Sequence, residues 1–311
     1  MQTERNAPGL GIAFMMAGMF LISLNDMLIK GLAGDYPLHQ IIMWRTGLGL
    51  CLTLVFLKLE GGFVLLRTDK PGLHALRALL VVFANSCFYA AIVIMPLATA
   101  TALYFVAPLF VTLLSMPVLK EQVGPRRLLA VLAGFGGVLL MMGAQLTGGV
   151  GWAVVLPVLA AAGYAGMSVL TRKLGQASAA SALAFYLQVA FLIVAAGFYL
   201  VAGDGRFVDD TTPESLYFLL RAWTWPEDQD LPLLIGLGVL SALIGYSMSQ
   251  AYRQAKASVV APFEYVMLIF ALFWGWLVFD EWPRASVFVG AAFIIASGIY
   301  IFWREERIKR S

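Results

Sequence analysis

The sequence predicts an all-α, polytopic membrane protein whose ten transmembrane helices form two inverted five-helix repeats. Three observations lead to this fold class. The 311 residues are 61% apolar and only 13% charged, whereas soluble domains are about 45–50% apolar and about 25% charged. Ten apolar runs are long enough to cross a bilayer, and the second half of the chain echoes the first. This composition excludes a soluble enzyme, a nucleic-acid binder and a disordered chain.

A helix that crosses a bilayer needs about 20 mostly apolar residues. The predicted spans are 9–30, 38–57, 73–94, 98–118, 127–145, 151–171, 180–202, 232–252, 258–279 and 285–303. Most connections are short, but residues 203–230 form a long acidic one with a short amphipathic helix expected around 213–222. The first run is too long for a signal-peptide core and lacks a cleavage-like site, so we interpret it as an uncleaved helix.

Lysine and arginine residues are unevenly distributed between alternate connections. With both termini inside, sixteen lie in inner segments and four in outer segments, while Arg45 lies within a helix. Because cytoplasmic loops carry the excess of Lys and Arg, both termini are expected in the cytoplasm and residues 203–230 outside. We expect a bacterial inner membrane.

Two alignments relate the halves of the chain. Residues 97–121 match 257–281 at an offset of 160, and residues 25–32 match 167–174 at an offset of 142. Since five is odd, the copies must have opposite orientations, as is typical of secondary transporters with a substrate site between the repeats. The expected repeats are residues 1–148 and residues 149–311.

Several short motifs follow one another in order from about residue 9 to residue 303. They are Asn25-Asp26 with Lys30, Trp44-Arg45, PLATATALYFVAP (96–108) followed by LKE, TRKL (171–174), AYRQAKASVVAPFEY (251–265) and FDEWP (279–283). In this order they resemble ten-helix members of the drug/metabolite transporter superfamily, in its EamA-domain branch. One departure is that Pro108 has no counterpart at Leu268, because the second copy places its proline at Pro262.

The resemblance implies a secondary active transporter that moves a small organic metabolite by alternating access. Amino acids and their derivatives are the first expected substrates, and vitamins or nucleoside-type metabolites such as riboflavin and S-adenosylmethionine are the alternative. Two alternatives come from other classes: a non-transporting structural membrane subunit or channel, and an intramembrane enzyme. The enzyme would need a reactive cluster at one membrane depth, and the sequence shows none.

Three ionisable side chains fall inside predicted spans, where a charge costs about 2.5–3.5 kcal/mol on insertion scales. They are Asp26, Arg45 and Glu264, whose repeat counterparts are Ser168, Gln188 and Tyr104. Charge in only one copy suits recognition of an asymmetric molecule. We expect Glu264 to bind a substrate amine or to act as the proton-coupling carboxyl. Asp26 and Arg45 either bind charged substrate groups or form an interhelical ion pair.

Mid-span Tyr, Asn and Gln side chains need partners from a neighbouring helix or a wet cavity. With the charged residues they predict a pocket with aromatic walls and a few polar groups. The candidate substrate-binding residues are Asp26, Arg45, Trp44, Asn85, Tyr89, Tyr104, Tyr164, Ser168, Gln188, Tyr246, Gln250, Glu264 and Tyr265. Asp280-Glu281 is interpreted as a solvated helix end.

The sequence contains no phosphate-binding glycine loop, no metal-ligand spacing around His39 or His74, and no Ser–His–Asp set. We therefore expect no enzyme activity, no cofactor and no metal. The expected partners are a small-molecule substrate, membrane lipid, and a proton or exchanged metabolite as the coupling species, with no nucleic acid. Monomer and homodimer are both compatible with the sequence.

Overall fold

The computed structural model describes residues 8–68, 70–120, 123–146, 151–174, 180–254 and 260–310, and these residues form helices without any strand. The helices are α1 (Pro8–Leu32), α2 (Leu38–Glu60), α3 (Pro71–Ile94), α4 (Leu97–Tyr104), α5 (Ala107–Leu119), α6 (Pro125–Leu146), α7 (Leu156–Leu174), α8 (Ala180–Ala202), α9 (Glu214–Leu220), α10 (Leu231–Gln254), α11 (Val266–Phe279) and α12 (Ala285–Arg310). Short 3₁₀ segments occupy Phe63–Leu66, Gly151–Val155 and Ala261–Tyr265. The expected boundary between residues 148 and 149 lies outside the described residues.

The described helices confirm the predicted membrane-spanning fold. Seven helical segments are long and apolar enough to cross a membrane, and three shorter apolar helices occupy the other predicted positions. The shorter ones are Leu128–Met141, Phe263–Phe279 and Ala285–Tyr300. Large apolar side chains such as Leu139 and Leu200 are 69% and 75% exposed. Such a surface is suited to lipid rather than to water.

Helices of the first half pack mainly against helices of the second half. Helix α1 lies against α10 and α11, and its counterpart α7 lies against α3 and α5. Corresponding helices also meet directly, α2 against α8 and α6 against α12. A Cβ on Gly137 of α6 would lie 2.7 Å from the carbonyl oxygen of Gly290 on α12, so this crossing needs glycine. The reciprocal pattern is that of two interlocked inverted repeats.

The fourth span of each repeat is interrupted. The predicted span 98–118 is divided, because α4 ends at Tyr104 and α5 begins at Ala107. Pro108 lies in the first turn of α5, where its missing N–H costs no helical hydrogen bond. The matching span of the second repeat starts with the 3₁₀ segment Ala261–Tyr265 and continues as α11. Both spans therefore change helical geometry at the same position of the repeat.

These two spans also end alike. Lys120 follows α5 with φ 57°, and Asp280 follows α11 with φ 54°. Among the described residues they are the only two non-glycine residues with positive φ. They are 160 positions apart, which is the offset of the sequence repeat. The left-handed conformation ends each helix and turns the chain sharply.

Residues 203–230 lie across one end of the bundle, which we call the loop end, and α9 confirms the predicted amphipathic helix. The Tyr36 hydroxyl donates to Asp230 Oδ2 at 2.6 Å and accepts the Glu227 N–H at 3.0 Å. Arg221 donates to the Gly34 carbonyl at 2.6 Å. The long connection is thus held to the short connection between α1 and α2.

Candidate substrate-binding site

A buried polar network joins α1, α2 and α3 about one to two turns below the loop end. Arg45 donates to the Tyr89 hydroxyl at 3.0 Å and lies 3.4 Å from Asn25 Oδ1. The Asn25 amide donates to Asp26 Oδ1 at 3.1 Å and to the Tyr89 hydroxyl at 3.2 Å. All four side chains are buried, with at most 8% exposure. Three helices thus contribute to one hydrogen-bonded unit.

Asp26 and Arg45 do not form the direct interhelical ion pair that was one alternative from the sequence. Within the described residues, their carboxylate and guanidinium groups come no closer than 4.0 Å, and Asn25 connects them. The guanidinium also lies over the rings of Tyr89 and Phe191, with its Cζ 5.9 Å and 5.3 Å from the ring centroids. The Arg45 Nε is buried and has no hydrogen-bond partner in the described part of the chain. One donor of Arg45 therefore remains for a ligand.

Aromatic rings lead from this network toward the second repeat. Phe88 packs beside Tyr89 with centroids 6.1 Å apart, and meets Tyr104 at 5.4 Å. Tyr104 meets Tyr164 of α7 at 5.7 Å, and the Tyr164 hydroxyl is hydrogen-bonded to Ser168. We call Phe88, Tyr104 and Tyr164 the aromatic strip. The expected aromatic wall is a connected row of rings in this structure.

Glu264 lies at the far side of the aromatic strip, in the 3₁₀ segment before α11. Its carboxyl is close enough to the hydroxyls of Tyr104, Tyr164 and Tyr265 to act on all three electrostatically. The side chain is half-buried, so a polar ligand or a proton has access to it. The described residues thus connect the Arg45 network, through Tyr89 and the aromatic strip, to a carboxyl group near Tyr104 and Tyr164.

The interrupted spans meet at this site. Phe105, in the turn after α4, packs edge to face against Tyr265 with ring centroids 5.0 Å apart. Tyr104 and Glu264 immediately precede these two residues and occupy corresponding repeat positions. Discontinuous helices at a repeat interface are where transporters form their binding sites, because the irregular backbone lines a cavity.

A half-open pocket, with about 370 Å³ of empty space that includes open solvent, lies between this network and the loop end. Asn85 and Tyr89 of α3 line it together with Phe191 of α8, and His39 of α2 and Leu219 of α9 close its outer part. Tyr89 and Phe191 contact both the Arg45 network and the pocket. The pocket therefore borders the Arg45 network, and α9 contributes Leu219 to its outer part.

Several candidate residues lie away from this centre. Tyr246 is 45% exposed and packs against Phe14 and Phe56 on the periphery, away from the residues around Arg45. Gln188 donates to Ser241 Oγ at 2.9 Å, between α8 and α10. The position of a residue along a span gives its depth in the membrane but not the direction in which its side chain faces. Helical periodicity in α10 could have separated Tyr246 from the inward-facing tyrosines.

Two more candidates lie on α2 and α10. Trp44 is partly buried against the core, and its indole Nε1 is buried without a partner in the described residues. Gln250 accepts a contact from Gln254 at 3.4 Å along α10. The hydrogen bonds described for these residues do not join them to the network around Arg45.

Two kinds of residue that belong to the site or to its surroundings were not predicted from the sequence. Phe88 and Phe191 complete the aromatic surroundings, but apolar residues in an apolar span carry no distinguishing signal. Glu281 was interpreted as a solvated helix end, and this is wrong because its carboxylate pairs with Lys30 at 2.6 Å. Lys30 is five residues after Asn25 in the same motif, and its position at the end of an apolar span was the available signal.

Comparison with known proteins places this chain in a family. The model of the EamA-like transporter family matches residues 9–143 and again residues 151–303. The chain belongs to this family. Its two matched segments cover both halves of the chain, as the repeat alignment predicts.

Individual relatives of this EamA-like transporter match nearly its whole length. It is 29% identical over 300 residues to the riboflavin transporter of Rhizobium johnstonii, covering 96% of this chain and 90% of the relative. It is 24% identical over 297 residues to the S-adenosylmethionine uptake transporter of Rickettsia prowazekii, covering 96% and 94%. A solved crystal structure with a TM-score of 0.60 and 16% identity, covering 96% and 97%, has the same fold. The protein is a multi-pass membrane transporter of small molecules and not an enzyme.

Proposed function

We propose that this EamA-like transporter carries a metabolite with a planar heterocyclic ring and a polar arm across the cytoplasmic membrane by alternating access. Riboflavin and S-adenosylmethionine, which appear in the names of its relatives, both have this chemistry. The observation that carries the proposal is the row of rings between the Arg45 network and Glu264. A ring-bearing substrate replaces the amino acids that the sequence favoured first.

The aromatic strip supplies the surface for the ring. The ring centroids of Phe88, Tyr104 and Tyr164 are separated by 5.4 and 5.7 Å, which are ordinary distances for edge-to-face aromatic pairs. A flat ligand can insert against such a row and exchange one ring–ring contact for another. The tyrosine hydroxyls add hydrogen-bonding positions at the ring edge, which give orientation to an otherwise apolar contact.

The Arg45 network supplies the surface for the polar arm. The free Arg45 Nε–H is a donor for a hydroxyl, carbonyl or carboxylate oxygen. The Asn25 amide and the Tyr89 hydroxyl beside it can exchange their present bonds for bonds to a ligand. Because the network is buried, a ligand that satisfies these groups gains more than it would in water.

Orientation and energy coupling complete the proposal. The excess of Lys and Arg in the opposite connections favours a periplasmic position for the loop end. Glu264, near three tyrosine hydroxyls, is the candidate for proton coupling. Exchange against a second metabolite is the alternative source of energy.

A second candidate substrate is a zwitterionic amino-acid derivative. The carboxyl groups of Asp26 and Glu264 both lie near Tyr104 of the aromatic strip, and Asn25 connects Asp26 to Arg45. One cation and two acids suit a molecule that carries both an amino and a carboxylate group. S-adenosylmethionine combines this group with a ring, so it satisfies both arguments.

The test is ligand binding to the purified protein, with riboflavin, S-adenosylmethionine, methionine and alanine as probes. Tyr104→Leu removes the central ring of the strip, and Tyr246→Leu makes the same change on the periphery. We expect Tyr104→Leu to weaken binding of ring-bearing probes by about tenfold, because one aromatic contact is worth about 0.5–1.5 kcal/mol. Tyr246→Leu should bind as the parent does. Binding of alanine and methionine without riboflavin or S-adenosylmethionine would contradict the ring proposal and favour the second candidate.

A further inference from the structure

A buried ion pair joins the two repeats at the loop end. The Lys30 ammonium, near the end of α1, lies 2.6 Å from Glu281 Oε1, just after α11. The two side chains are only 8% and 23% exposed. The Phe279 ring lies beneath the ammonium at 5.2 Å from its centroid. The pair is therefore largely shielded from water.

The remaining hydrogen-bonding positions of this pair are used by the junction between α3 and α4. Lys30 Nζ donates to the Met95 carbonyl at 2.9 Å, and the Leu97 N–H at the start of α4 donates to Glu281 Oε2 at 3.1 Å. Both carboxylate oxygens of Glu281 are thus engaged by the first repeat. Three elements, α1, the α3–α4 junction and the end of α11, converge on one charged contact.

The ion pair is the uppermost contact of a seam between α1 and α11. Lower along this seam, Trp274 donates its indole N–H to Ser23 Oγ at 3.1 Å, and Phe20 packs on Phe270 with centroids 5.3 Å apart. Asp26, one helical turn below Lys30, belongs to the candidate site. Separation of α1 from α11 at the loop end therefore requires the Lys30–Glu281 contact to break.

We propose that Lys30 and Glu281 form an ionic latch that holds the loop end of the transporter closed, and that the loop end opens only when this pair separates. The inference goes beyond the proposed substrate, since it is independent of which metabolite is carried. Opening replaces each protein contact of the pair by water, so the pair can separate and re-form reversibly. Removing one partner leaves the other charge uncompensated in the closed state, which weakens that state selectively.

The test measures access to a thiol placed behind the latch. Cys51 and Cys87 are replaced by serine, and Thr99, fully buried in the first turn of α4, is replaced by cysteine. A membrane-impermeant maleimide is applied from the side of the loop end. Thr211→Cys lies on the exposed long connection at the loop end. Its labelling shows whether intact cells or inverted vesicles present the loop end to the maleimide, and it gives the labelling rate of a fully accessible thiol.

We expect Lys30→Gln and Glu281→Gln each to raise the labelling rate of the thiol introduced by Thr99→Cys at least about tenfold, since each leaves one buried charge unpaired. Arg206→Gln, which breaks an exposed ion pair with Asp204, should leave the rate unchanged. These comparisons need no substrate, so a wrong substrate proposal does not affect them.

A backbone variant covers the case in which neutralised charges impair folding. Leu97→Pro removes the N–H that Glu281 accepts, at the first position of α4, where proline is tolerated, and it also exchanges a buried leucine side chain for a proline ring. Leu97→Ala, which keeps the N–H and shortens the side chain, is its control. Pro96 already has φ −55° and ψ 137°, a conformation that a following proline allows. We expect a smaller rise, about threefold, for the loss of one hydrogen bond. Parent-like labelling in the folded neutralised variants and in Leu97→Pro would overturn the latch.

Discussion

Phe105 and Tyr265 are 160 residues apart in sequence and pack edge to face with ring centroids 5.0 Å apart. They occupy corresponding positions of the two repeats, directly after Tyr104 and Glu264. In an assembly of inverted repeats, equivalent residues contact each other only near the axis that relates the copies. This contact therefore places the interruptions of both fourth spans at the centre of the molecule. The asymmetric pair Tyr104 and Glu264 is presented there from opposite repeats.

The Tyr265 hydroxyl provides a test of this central contact. It is buried and has no hydrogen-bond partner among the described residues, so its desolvation is uncompensated. We expect Tyr265→Phe to raise the midpoint of thermal unfolding, because it keeps the ring against Phe105 and removes only the hydroxyl. Tyr265→Ala should destabilise by about 3–5 kcal/mol, as expected for loss of a buried aromatic ring. Thermal unfolding in detergent measures both, and a lower midpoint for Tyr265→Phe would show that the hydroxyl has a partner.

Tyr89 tests the proposed polar-arm subsite. Its hydroxyl accepts hydrogen bonds from Arg45 at 3.0 Å and from Asn25 at 3.2 Å. Tyr89→Phe keeps the ring but leaves a buried guanidinium less well satisfied, at a cost of about 1.5–3 kcal/mol for bonds to a charged group. We expect transport of the ring-bearing substrate in proteoliposomes to fall by at least about tenfold. Tyr246→Phe is the matched control, and an equal loss in both variants would contradict the assignment.

Tyr36 tests how the long connection is held at the loop end. Burial and the hydrogen bond to Asp230 raise the pKa of Tyr36 above its ordinary value of 10.0. A raised pKa means that the neutral phenol contributes its full stability below pH 10, and that this contribution is lost as the pH rises through the raised pKa. We expect Tyr36→Phe to lower the unfolding midpoint by an amount that is constant near neutral pH and shrinks above pH 10. A difference that stays constant up to pH 11 would contradict this coupling.

The sequence predicts the helices well because a bilayer imposes a simple rule on length and polarity. It also singles out Asp26, Arg45 and Glu264 as candidate site residues, since ionisable residues inside spans are rare. It does not show that Asn25 and Tyr89 connect Asp26 to Arg45, because hydrogen-bond partners on three helices depend on rotation and tilt. These are set by packing and not by hydropathy.

Because hydropathy does not give helix rotation or backbone turns, it also does not give the positions of the Tyr246 and Glu281 side chains. Tyr246 and Tyr164 both lie in apolar spans, but α10 turns Tyr246 outward while α7 turns Tyr164 toward Tyr104. Glu281 follows a helix end, and such residues are usually solvated. The left-handed conformation of Asp280 instead turns the chain so that the Glu281 N–H bonds to the Gly275 carbonyl at 2.9 Å and its side chain reaches Lys30. This single backbone turn decides whether Glu281 is solvated or paired with Lys30, and the sequence pattern does not specify the turn.

Glu264 provides the test of energy coupling. If this carboxyl carries the coupled proton, Glu264→Gln cannot release or take up that proton during the cycle. We expect the variant to lose accumulation of substrate driven by a pH gradient in proteoliposomes, while exchange of labelled for unlabelled substrate at equal pH continues. If Glu264 instead binds a substrate amine, accumulation, exchange and equilibrium binding should all fall together.

Asp210→Asn is the matched control, because it removes an exposed carboxylate from the long connection, far from the aromatic strip. It should leave both accumulation and exchange unchanged. Parent-like accumulation by Glu264→Gln would exclude both roles for this residue. In that case the coupling carboxyl must be sought at Asp26, the other acid inside the spans predicted from the sequence, and Asp26→Asn should then separate accumulation from exchange in the same assay. The two variants together assign the coupled proton to one repeat or the other.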